Sequence, residues 1–375
     1  MVTSELATSL KDSGHEVAVF TFNKGEFAYQ SIEVCGVPVF TTNQSDCEAM
    51  ARFNPEVIHI QHWPTFLWLR KIGLKAPVVF GFLGVVPAIE NPPPLIEESQ
   101  LLSWAVSEEV RNNVASLPGW GNQEISIIRN WVPPELLQES PAYANHSEEI
   151  KKRIIVVSNH FPKEYMDLLG KVCAEMNLDL VHFGLPDNPK KLKSSDFKNA
   201  FAVVTVGRTA LLSASLGIPT IILDHFGSDG WLTPENIFTV RERNFSGRTN
   251  ALTPNHLYIR QLLSSPPTKI QVSELRRIVL DEHRIAIAVD TLQAIYKRAI
   301  QTCWEPKFGR GADYFSELFE SNLSIGRHND SLVTERNALL AERSEIYNSN
   351  SWRVTRPFRL ISAALQGNKK LPPRK

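Results

Sequence analysis

The residues best suited to bind a ligand are a glycine, an arginine and a threonine that follow a predicted strand. The strand is the apolar run 200–206, and Gly207, Arg208 and Thr209 come directly after it, with Thr209 as the predicted N-cap of a helix. Free amides at a helix start, the helix dipole and a forked guanidinium together suit a diphosphate. The alternative interpretation is a tight strand-to-helix turn with a solvated arginine.

A longer polar segment, 224–236, follows the next predicted strand. Gly227 and Gly230 would allow its backbone to approach a ligand closely. The polar side chains able to bind sugar hydroxyls or a ribose are Asp224, His225, Asp229 and Glu235. Thr233 and Pro234 predict the N-cap and first position of another helix. The alternative is a rigid connection whose carboxylates cap turns, which is the better interpretation of Asp229 taken singly.

Two pairs of polar residues follow other predicted strands. Ser158 and Asn159 end the first strand of the second half and could hold a phosphate or a sugar. Arg129 and Asn130 follow the last strand of the first half and could equally form a turn. Ligands of open α/β sheets bind outside the carboxyl ends of the strands, so we expect these residues beside one crevice.

Two histidines stand where a proton could be transferred. His59 and His62 end a strand in the first half, and histidine is the usual proton-transfer side chain. Residues three apart on an extended strand point to opposite faces, so this pair does not predict a metal site. A structural role is the more common one for a lone histidine, and the sequence assigns no catalytic residue.

Alternating strand and helix patterns must position these residues. The extended runs among them include 16–22, 32–40, 153–157 and 220–223. Parallel strands need crossover connections that are usually helical, so the alternation predicts an α/β fold with parallel sheets. At 375 residues the chain is too long for one ordinary core. We expect two Rossmann-like units, 1–135 and 151–300, that face each other across a crevice and are joined by a polar linker at 136–150. An amphipathic helix, 273–299, would end the second unit and brace both.

The remaining segment, 301–375, is predicted to be a polar connection, an amphipathic helix and a basic tail. The helix, 330–347, carries apolar residues at heptad spacing over too few heptads to establish a coiled coil. Seven basic and no acidic residues lie in 351–375, interleaved with aromatic and aliphatic side chains. Such a tail could contact an anionic membrane surface, and a solvated end is the alternative.

Composition excludes several classes of protein. Forty basic and forty acidic residues give zero net charge, so no global field attracts nucleic acid. The four cysteines form neither a CxxC pair nor a Cys/His cluster, which argues against a zinc site and a disulfide framework. No window is apolar enough for a signal peptide or a membrane span. The sequence therefore predicts a soluble, cytoplasmic protein, with peripheral contact at the inner face of a membrane as a further option.

Several short motifs follow the order found in one enzyme family. They are ELA at 5–7, GHEV at 14–17, PEVIH at 55–59, AVSE at 105–108, IRN at 128–130, SASLGIP at 213–219 and SWRVTRPFR at 351–359. Together they resemble retaining nucleotide-sugar glycosyltransferases of the two-Rossmann (GT-B) architecture, group 1 type, of the kind that builds bacterial surface polysaccharides. The resemblance covers about residues 5–300 and 330–360.

The resemblance implies a donor site in the second half. A nucleotide-diphosphate sugar would bind there, with its phosphates near Gly207, Arg208 and Thr209 and its sugar near 225–235. A glycan or lipid-linked glycan acceptor would enter from the first half. Such enzymes generally need no catalytic metal and no cofactor, because the leaving phosphate oxygen takes the acceptor proton on the same face. Catalysis then depends on positioning and on stabilising the charge that develops on the diphosphate.

The sequence departs from the family pattern at three places. Leu212 stands where the family has a glutamate that grips the donor ribose, a contact that Glu235 could replace. Leu83 stands where many relatives have a histidine. The chain also begins at the first helix, so we expect the opening strand and its glycine-rich loop to precede Met1 in the native product.

These departures keep two alternatives open. The first is a catalytically impaired donor-binding or scaffold protein of a polysaccharide assembly pathway, which Leu212 and Leu83 favour. The second is a nucleotide-sugar epimerase of the same architecture, which would need acid and base groups gathered around the donor sugar. Fold alone does not separate these functions.

Overall fold

The computed structural model describes most of the chain. The described residues are 2–22, 32–92, 96–97, 102–121, 123–133, 152–185, 188, 190, 192–302 and 307–308, with six positions between 335 and 345. The chain divides into two units, Met1–Gly311 and Ala312–Lys375, and the smaller is described only at those six positions. The predicted linker 136–150, the tail 351–375 and most of the helix 330–347 therefore lie outside the described residues.

The first half of the larger unit contains two separate parallel sheets. The small sheet pairs β1 (Val19–Phe20) with β2 (Val39–Phe40). The large sheet consists, in spatial order, of β3 (Ile58–Ile60), β4 (Val78–Phe82), β6 (Leu102–Ala105) and β7 (Glu124–Ile127). A short antiparallel pair joins β5 (Ile96–Glu97) to β13 (Lys307–Phe308). The helices of this half are α1 (Val2–Asp12), α2 (Gln44–Phe53), α3 (Trp63–Lys71) and α4 (Glu108–Ala115).

The second half contains one continuous sheet. In spatial order its strands are β12 (Gly227–Trp231), β11 (Thr220–Asp224), β10 (Ala200–Thr205), β8 (Arg153–Val157) and β9 (Asp179–Phe183). All pairs are parallel except that of β12 with β11 at one edge. The helices are α5 (Lys163–Glu175), α6 (Arg208–Ser215), α7 (Ile237–Val240), α8 (His256–Ser264) and α9 (Lys269–Glu282).

Helices cover both faces of the second sheet. Ile155 and Val203 lie in the core on one face, while Ile154 and Val204 lie in the core on the other. Parallel strands buried on both faces have such unbroken apolar sequences. The parallel sheets and helices confirm the predicted α/β class with two Rossmann-like halves.

The predicted helix 273–299 is two helices, so this prediction was wrong. α9 ends at Glu282, and α10 spans Ile285–Gln301. Neither glycine nor proline separates them. Instead, the carbonyl of His283 accepts the amide of Val132 over 2.9 Å. α9 packs against α6, whereas α10 packs against α1, β4 and β6, so the two helices cover different halves.

Two shorter segments also differ from the predicted elements. The run 32–40, predicted to be extended throughout, begins with helical residues at 32–34. Ile32 and Val37 pack there with Ala7 of α1, a contact that local sequence does not reveal. The segment 227–231, predicted to be part of a loop, is the edge strand β12, because it pairs with β11 along the sheet.

Membrane spans and cysteines give two further findings. Within the part of the chain that the structure describes, no helix is long and apolar enough to cross a membrane. Cys35, Cys47 and Cys173 are free thiols. Burial raises the pKa of the Cys173 thiol to about 11, so this side chain packs as a small apolar group.

Candidate functional site

The carboxyl ends of the two large sheets lie at a joint between the halves. Asn130, which follows β7, donates from its side-chain amide to Asn244 Oδ1 over 2.8 Å. From the other side Arg208, which follows β10, donates from Nε to the carbonyl of Trp131 over 3.0 Å. Because ligands of parallel sheets bind at these ends, the strand ends beside the joint are the candidate site.

Arg208 forms hydrogen bonds to residues of the first half. Its Nη2 donates to Glu5 Oε2 on α1, and the same oxygen accepts Trp131 Nε1 over 2.7 Å. The two charged side chains are only 15% and 14% exposed. The remaining nitrogen, Nη1, is buried and has no hydrogen-bond partner among the described residues. The predicted phosphate ligand is therefore also a connection between the halves, with one donor nitrogen left over.

The start of α6 is open. Its first residue is Arg208 and its N-cap is Gly207, at φ 63° and ψ −140°, rather than the predicted Thr209. A residue other than glycine would be strained at this positive φ. A Cβ placed on Gly207 would meet no atom within 4 Å. The space where a side chain of residue 207 would lie is therefore empty, and no side chain caps the helix. Uncapped amides at a helix N-terminus are the arrangement that binds anions.

The ends of β8 and β11 bring a serine, an aspartate and a histidine together. Ser158 Oγ donates to Asp224 Oδ2 over 2.7 Å, and the amide of His225 donates to Asp224 Oδ1 over 2.7 Å. Asp224 is 2% exposed, whereas His225 is exposed and its ring lies 3.9 Å from that of Phe226. The buried aspartate holds the turn in place while the imidazole stays accessible. We call these three residues the Ser158–Asp224–His225 cluster.

Asn159 fixes the neighbouring turn. Its Oδ1 accepts the amide of Leu185, just beyond β9, over 3.0 Å. The ends of β8 and β9 approach closely here, because a Cβ on Gly184 would lie 1.9 Å from the carbonyl oxygen of Ser158. Only glycine permits that approach.

The glycines of the segment 224–236 serve the packing of β12. A Cβ on Gly227, at φ 114°, would lie 2.9 Å from the backbone of Ala251, and Gly230 has φ 79°. Asp229 is 5% exposed, and its Oδ1 accepts the amide of Asn250 over 2.6 Å. Its Oδ2 is buried without a hydrogen-bond partner among the described residues. These contacts hold the chain near 250 against the edge strand.

Glu235 contacts α9 rather than the Ser158–Asp224–His225 cluster. It is exposed and accepts Gln271 Nε2, on α9, over 3.2 Å. The hydrogen bond from Thr233 lowers the pKa of this carboxyl. The helix predicted to begin after Thr233 instead begins at Ile237, because Asn236 Oδ1 accepts the Thr233 amide over 2.9 Å and closes a turn. Leu212 packs in the core beside β10.

His59 is held between two aromatic side chains. Trp104 Nε1 donates to His59 Nε2 over 3.0 Å, so the neutral ring carries its proton on Nδ1. That proton is donated to the hydroxyl oxygen of Tyr296, 2.8 Å away on α10. Burial lowers the pKa of His59 to about 4 and raises that of Tyr296. Both ring nitrogens form hydrogen bonds within the fold, so His59 has the structural role that is the more common one for a lone histidine.

His62 and Arg129 have different surroundings. His62 is exposed at the N-cap of α3 and lies on a different element from His59. Arg129 donates to both oxygens of Glu108, over 3.0 and 2.7 Å, at the first turn of α4. Burial acts to raise the pKa of Glu108, but the hydrogen bond and charge of Arg129 outweigh it and lower the pKa. Arg129 therefore orients the helix that follows β6.

Glu90 was missed by the sequence analysis. This carboxylate ends the short 3₁₀ turn Ala88–Glu90 beyond β4, is 8% exposed, and accepts the amide of Leu83 over 3.0 Å. Burial raises its pKa, against hydrogen bonds from Leu83 and Gly84 that lower it. A buried carboxyl with a raised pKa beyond the carboxyl end of a strand is a candidate acid or base.

An ion pair that the sequence did not suggest joins α4 to the second half. Arg248 donates to both oxygens of Glu109, over 2.9 and 2.6 Å. Its guanidinium also lies 4.4 Å above the ring of Phe226, the residue after His225. The exposed turn of the Ser158–Asp224–His225 cluster is thereby connected to the first half.

The residues missed at the joint carry little local signal. They are Glu5, Glu109, Trp131, Asn244, Arg248 and His283. Each is far in sequence from its partner, and the available hint was that Trp131 directly follows two residues already selected at a strand end. Among the described residues, no group of three or more His, Cys, Asp or Glu side chains is arranged to hold a metal.

Comparison with known proteins gives likenesses of fold. No family model and no curated protein matches the chain. Two similar solved structures are MurG from Acinetobacter baumannii, at 10% identity and a TM-score of 0.45, and the glycosyltransferase SnogD from Streptomyces nogalater, at 13% identity and a TM-score of 0.39. Each of the two matches covers 78% of this chain and 95% of the matched chain.

Proposed function

We propose that the chain is a glycosyltransferase of the retaining GT-B kind, which moves a sugar from a nucleotide-diphosphate donor to a cell-surface glycan. The observation that carries the proposal is the open start of α6, where a Cβ on Gly207 would meet no atom within 4 Å. Uncapped helix amides favour a diphosphate. The Nη1 of Arg208, on the first residue of the same helix, is a buried donor without a hydrogen-bond partner among the described residues.

The donor sugar would lie over the Ser158–Asp224–His225 cluster. Asp224 holds the turn, and the exposed ring of His225 offers a hydrogen bond to a hydroxyl. As the donor bond breaks, negative charge grows on the diphosphate, and the amides at the start of α6 stabilise it without reorganising. The leaving oxygen takes the acceptor proton, so the proposal needs neither a metal nor a cofactor.

The acceptor would approach from the first half. Glu90, buried beyond β4, is suited to accept a hydrogen bond from an acceptor hydroxyl. A lipid-linked glycan acceptor would agree with a basic tail at 351–375 that attracts anionic lipid. This part of the proposal places the protein in the cytoplasm at the inner face of a membrane.

A second candidate function is a scaffold that no longer transfers sugar. Two observations favour it. Leu212 is buried in the core at the position where the family resemblance implies a ribose-binding glutamate. Arg208, implied to bind phosphate, uses two of its nitrogens to bind Glu5 and Trp131.

Calorimetry with several nucleoside diphosphates, with and without Mg²⁺, tests the proposal. Thr209→Glu would place a negative charge at the second position of α6. That charge should repel a diphosphate, yet it interacts favourably with the helix dipole and leaves the fold at least as stable. We expect this variant to bind at least about tenfold more weakly, the loss of roughly one charged hydrogen bond.

Thr209→Gln is the matched control, because it has the same size without the charge. It should bind within about twofold of the unmodified chain. If the unmodified chain binds no nucleoside diphosphate, the scaffold function is favoured. Equal binding by the Glu and Gln variants would remove the start of α6 from the donor site.

A further inference from the structure

All three nitrogens of the Arg208 guanidinium are either bonded or buried. Nε donates to the carbonyl of Trp131 over 3.0 Å, and Nη2 donates to Glu5 Oε2. Nη1 is closed to solvent and has no hydrogen-bond partner among the described residues. A guanidinium binds a phosphate most strongly through two nitrogens at once. Arg208 can therefore bind a diphosphate in this way only after its contacts with the first half open.

The carboxylate of Glu5 takes the place that a phosphate oxygen would take on Arg208. Arginine binds carboxylates and phosphates through the same fork of donors. The two side chains are 15% and 14% exposed, so salt screens their attraction little. Glu5 Oε2 also accepts Trp131 Nε1 over 2.7 Å, which fixes the carboxylate in place. An acidic side chain of the first half thus holds the cation that an incoming anion needs.

The contact between Glu5 and Arg208 can be exchanged for a phosphate. The buried Nη1 is a charged donor without a partner, and burying such a group is unfavourable. A phosphate that bonded two nitrogens of the guanidinium would remove this penalty. When Arg208 moved, the joint between the halves would keep the bidentate ion pair of Arg248 with Glu109. The exchange therefore does not require the halves to separate.

We propose that Glu5 is an autoinhibitory residue, whose carboxylate keeps Arg208 from the donor diphosphate until the diphosphate displaces it. This regulation rests on the proposed donor site at the start of α6. The affinity for a diphosphate is then the intrinsic affinity reduced by the fraction of molecules in which Arg208 is released. The alternative is a permanent structural ion pair, in which case the helix amides alone bind the diphosphate.

Inorganic pyrophosphate is the probe, because it carries the diphosphate group without a base or a sugar. Calorimetry compares the unmodified chain with Glu5→Gln, which removes the charge but keeps an oxygen that accepts from Trp131 Nε1. We expect this variant to bind pyrophosphate at least about tenfold more tightly, because more molecules have Arg208 released.

Glu109→Gln is the matched control. It removes the charge from the other largely buried ion pair at the joint, where Glu109 is 19% exposed, and leaves the contacts of Arg208 unchanged. It should bind pyrophosphate within about twofold of the unmodified chain, because salt weakens the effect of a distant charge.

A second measurement does not depend on the stability of Glu5→Gln. The Nε–H signal of Arg208, assigned by its loss in Arg208→Lys, is followed by NMR in the unmodified chain as pyrophosphate is added. We expect this signal to shift, because Nε leaves the carbonyl of Trp131. The Nε–H signal of Arg248, which is bonded to Glu109, should stay where it is.

Two results would overturn the autoinhibition and leave the donor site at α6 in place. They are pyrophosphate binding that does not move the Arg208 signal, and equal binding by the unmodified chain and Glu5→Gln. Binding that is tightened as much by Glu109→Gln would also overturn it, because the gain would then follow from net charge or from a weakened joint. If neither the unmodified chain nor Glu5→Gln binds pyrophosphate, the autoinhibition is wrong, and binding of nucleoside diphosphates decides the donor site separately.

Discussion

The two halves share one architecture but differ in how their sheets are completed. In the second half, five strands form one sheet whose central residues, Ile155 and Val203, are fully buried. In the first half, β1 and β2 are two residues long and are separated from β3 by a cavity of about 390 Å³. A strand with only one paired edge contributes fewer backbone hydrogen bonds and less buried surface. The difference indicates that the first half depends for its stability on its covering helices, above all α10, which packs against α1, β4 and β6.

The largest expected effect is a difference in stability cost between core substitutions in the two halves. Ile155→Ala removes a fully buried side chain from the continuous sheet and should lower the free energy of unfolding by about 2–5 kcal/mol. Ile58→Ala removes the same atoms from a residue that already lines the cavity, so it loses fewer contacts and should cost about 2 kcal/mol or less. Urea unfolding followed by amide exchange in each sheet measures both.

Equal costs for the two substitutions would show that the cavity does not weaken the first half. Exchange in the unmodified chain gives an independent check. Amides of β3 should open at a lower free energy than those of β10, and better protection of β3 would contradict the comparison.

The next effect concerns pH. The folded pKa of His59 is about 4 because of burial, and the ordinary value is 6.5. The unfolded chain therefore binds a proton that the folded chain excludes, and stability falls as the pH drops from above 6.5 towards 4. Between pH 7 and pH 5 this group should remove about 2 kcal/mol. His59→Gln keeps one acceptor for Trp104 and one donor for Tyr296, so it should flatten this dependence.

His283 limits how flat the profile becomes. Burial lowers its pKa to about 4 as well, so part of the acid sensitivity should remain in His59→Gln. His256→Gln, at an exposed histidine paired with Glu175, is the control and should leave the profile unchanged. An identical profile for His59→Gln and the unmodified chain would be inconsistent with a buried neutral His59.

The smallest effect tests the joint between the halves. Arg248→Ala removes both hydrogen bonds that Arg248 donates to the carboxylate of Glu109, which is 19% exposed. The substitution should lower the free energy of unfolding by about 1–2 kcal/mol. The matched control is Arg298→Ala, which breaks an exposed bidentate pair with Glu124 and should give no measurable change. Urea midpoints at two salt concentrations measure both variants, and equal effects would show that the joint is no stronger than a surface pair.

The parallel strands of the second sheet were more predictable than the small sheet of the first half. Its predicted strands at 153–157 and 220–223 match β8 and β11 closely, because long β-branched runs occur where a parallel strand is buried on both faces. In the first half, the predicted strand 16–22 is observed only as Val19–Phe20. Local sequence there is as apolar as elsewhere, but strand length depends on which edges are paired.

The sequence by itself determined the α/β class and the positions of polar residues at strand ends, because periodicity and composition are local properties. Only the tertiary structure decided what those residues contact. Any local prediction places Arg208 directly after a strand. Its guanidinium nevertheless forms an ion pair with Glu5, 203 positions away. The residue after α9, His283, is held by the carbonyl of Asn130, which lies 2.6 Å from its Nδ1 and 153 positions earlier in the chain. Such choices depend on packing between distant segments, which no local pattern encodes.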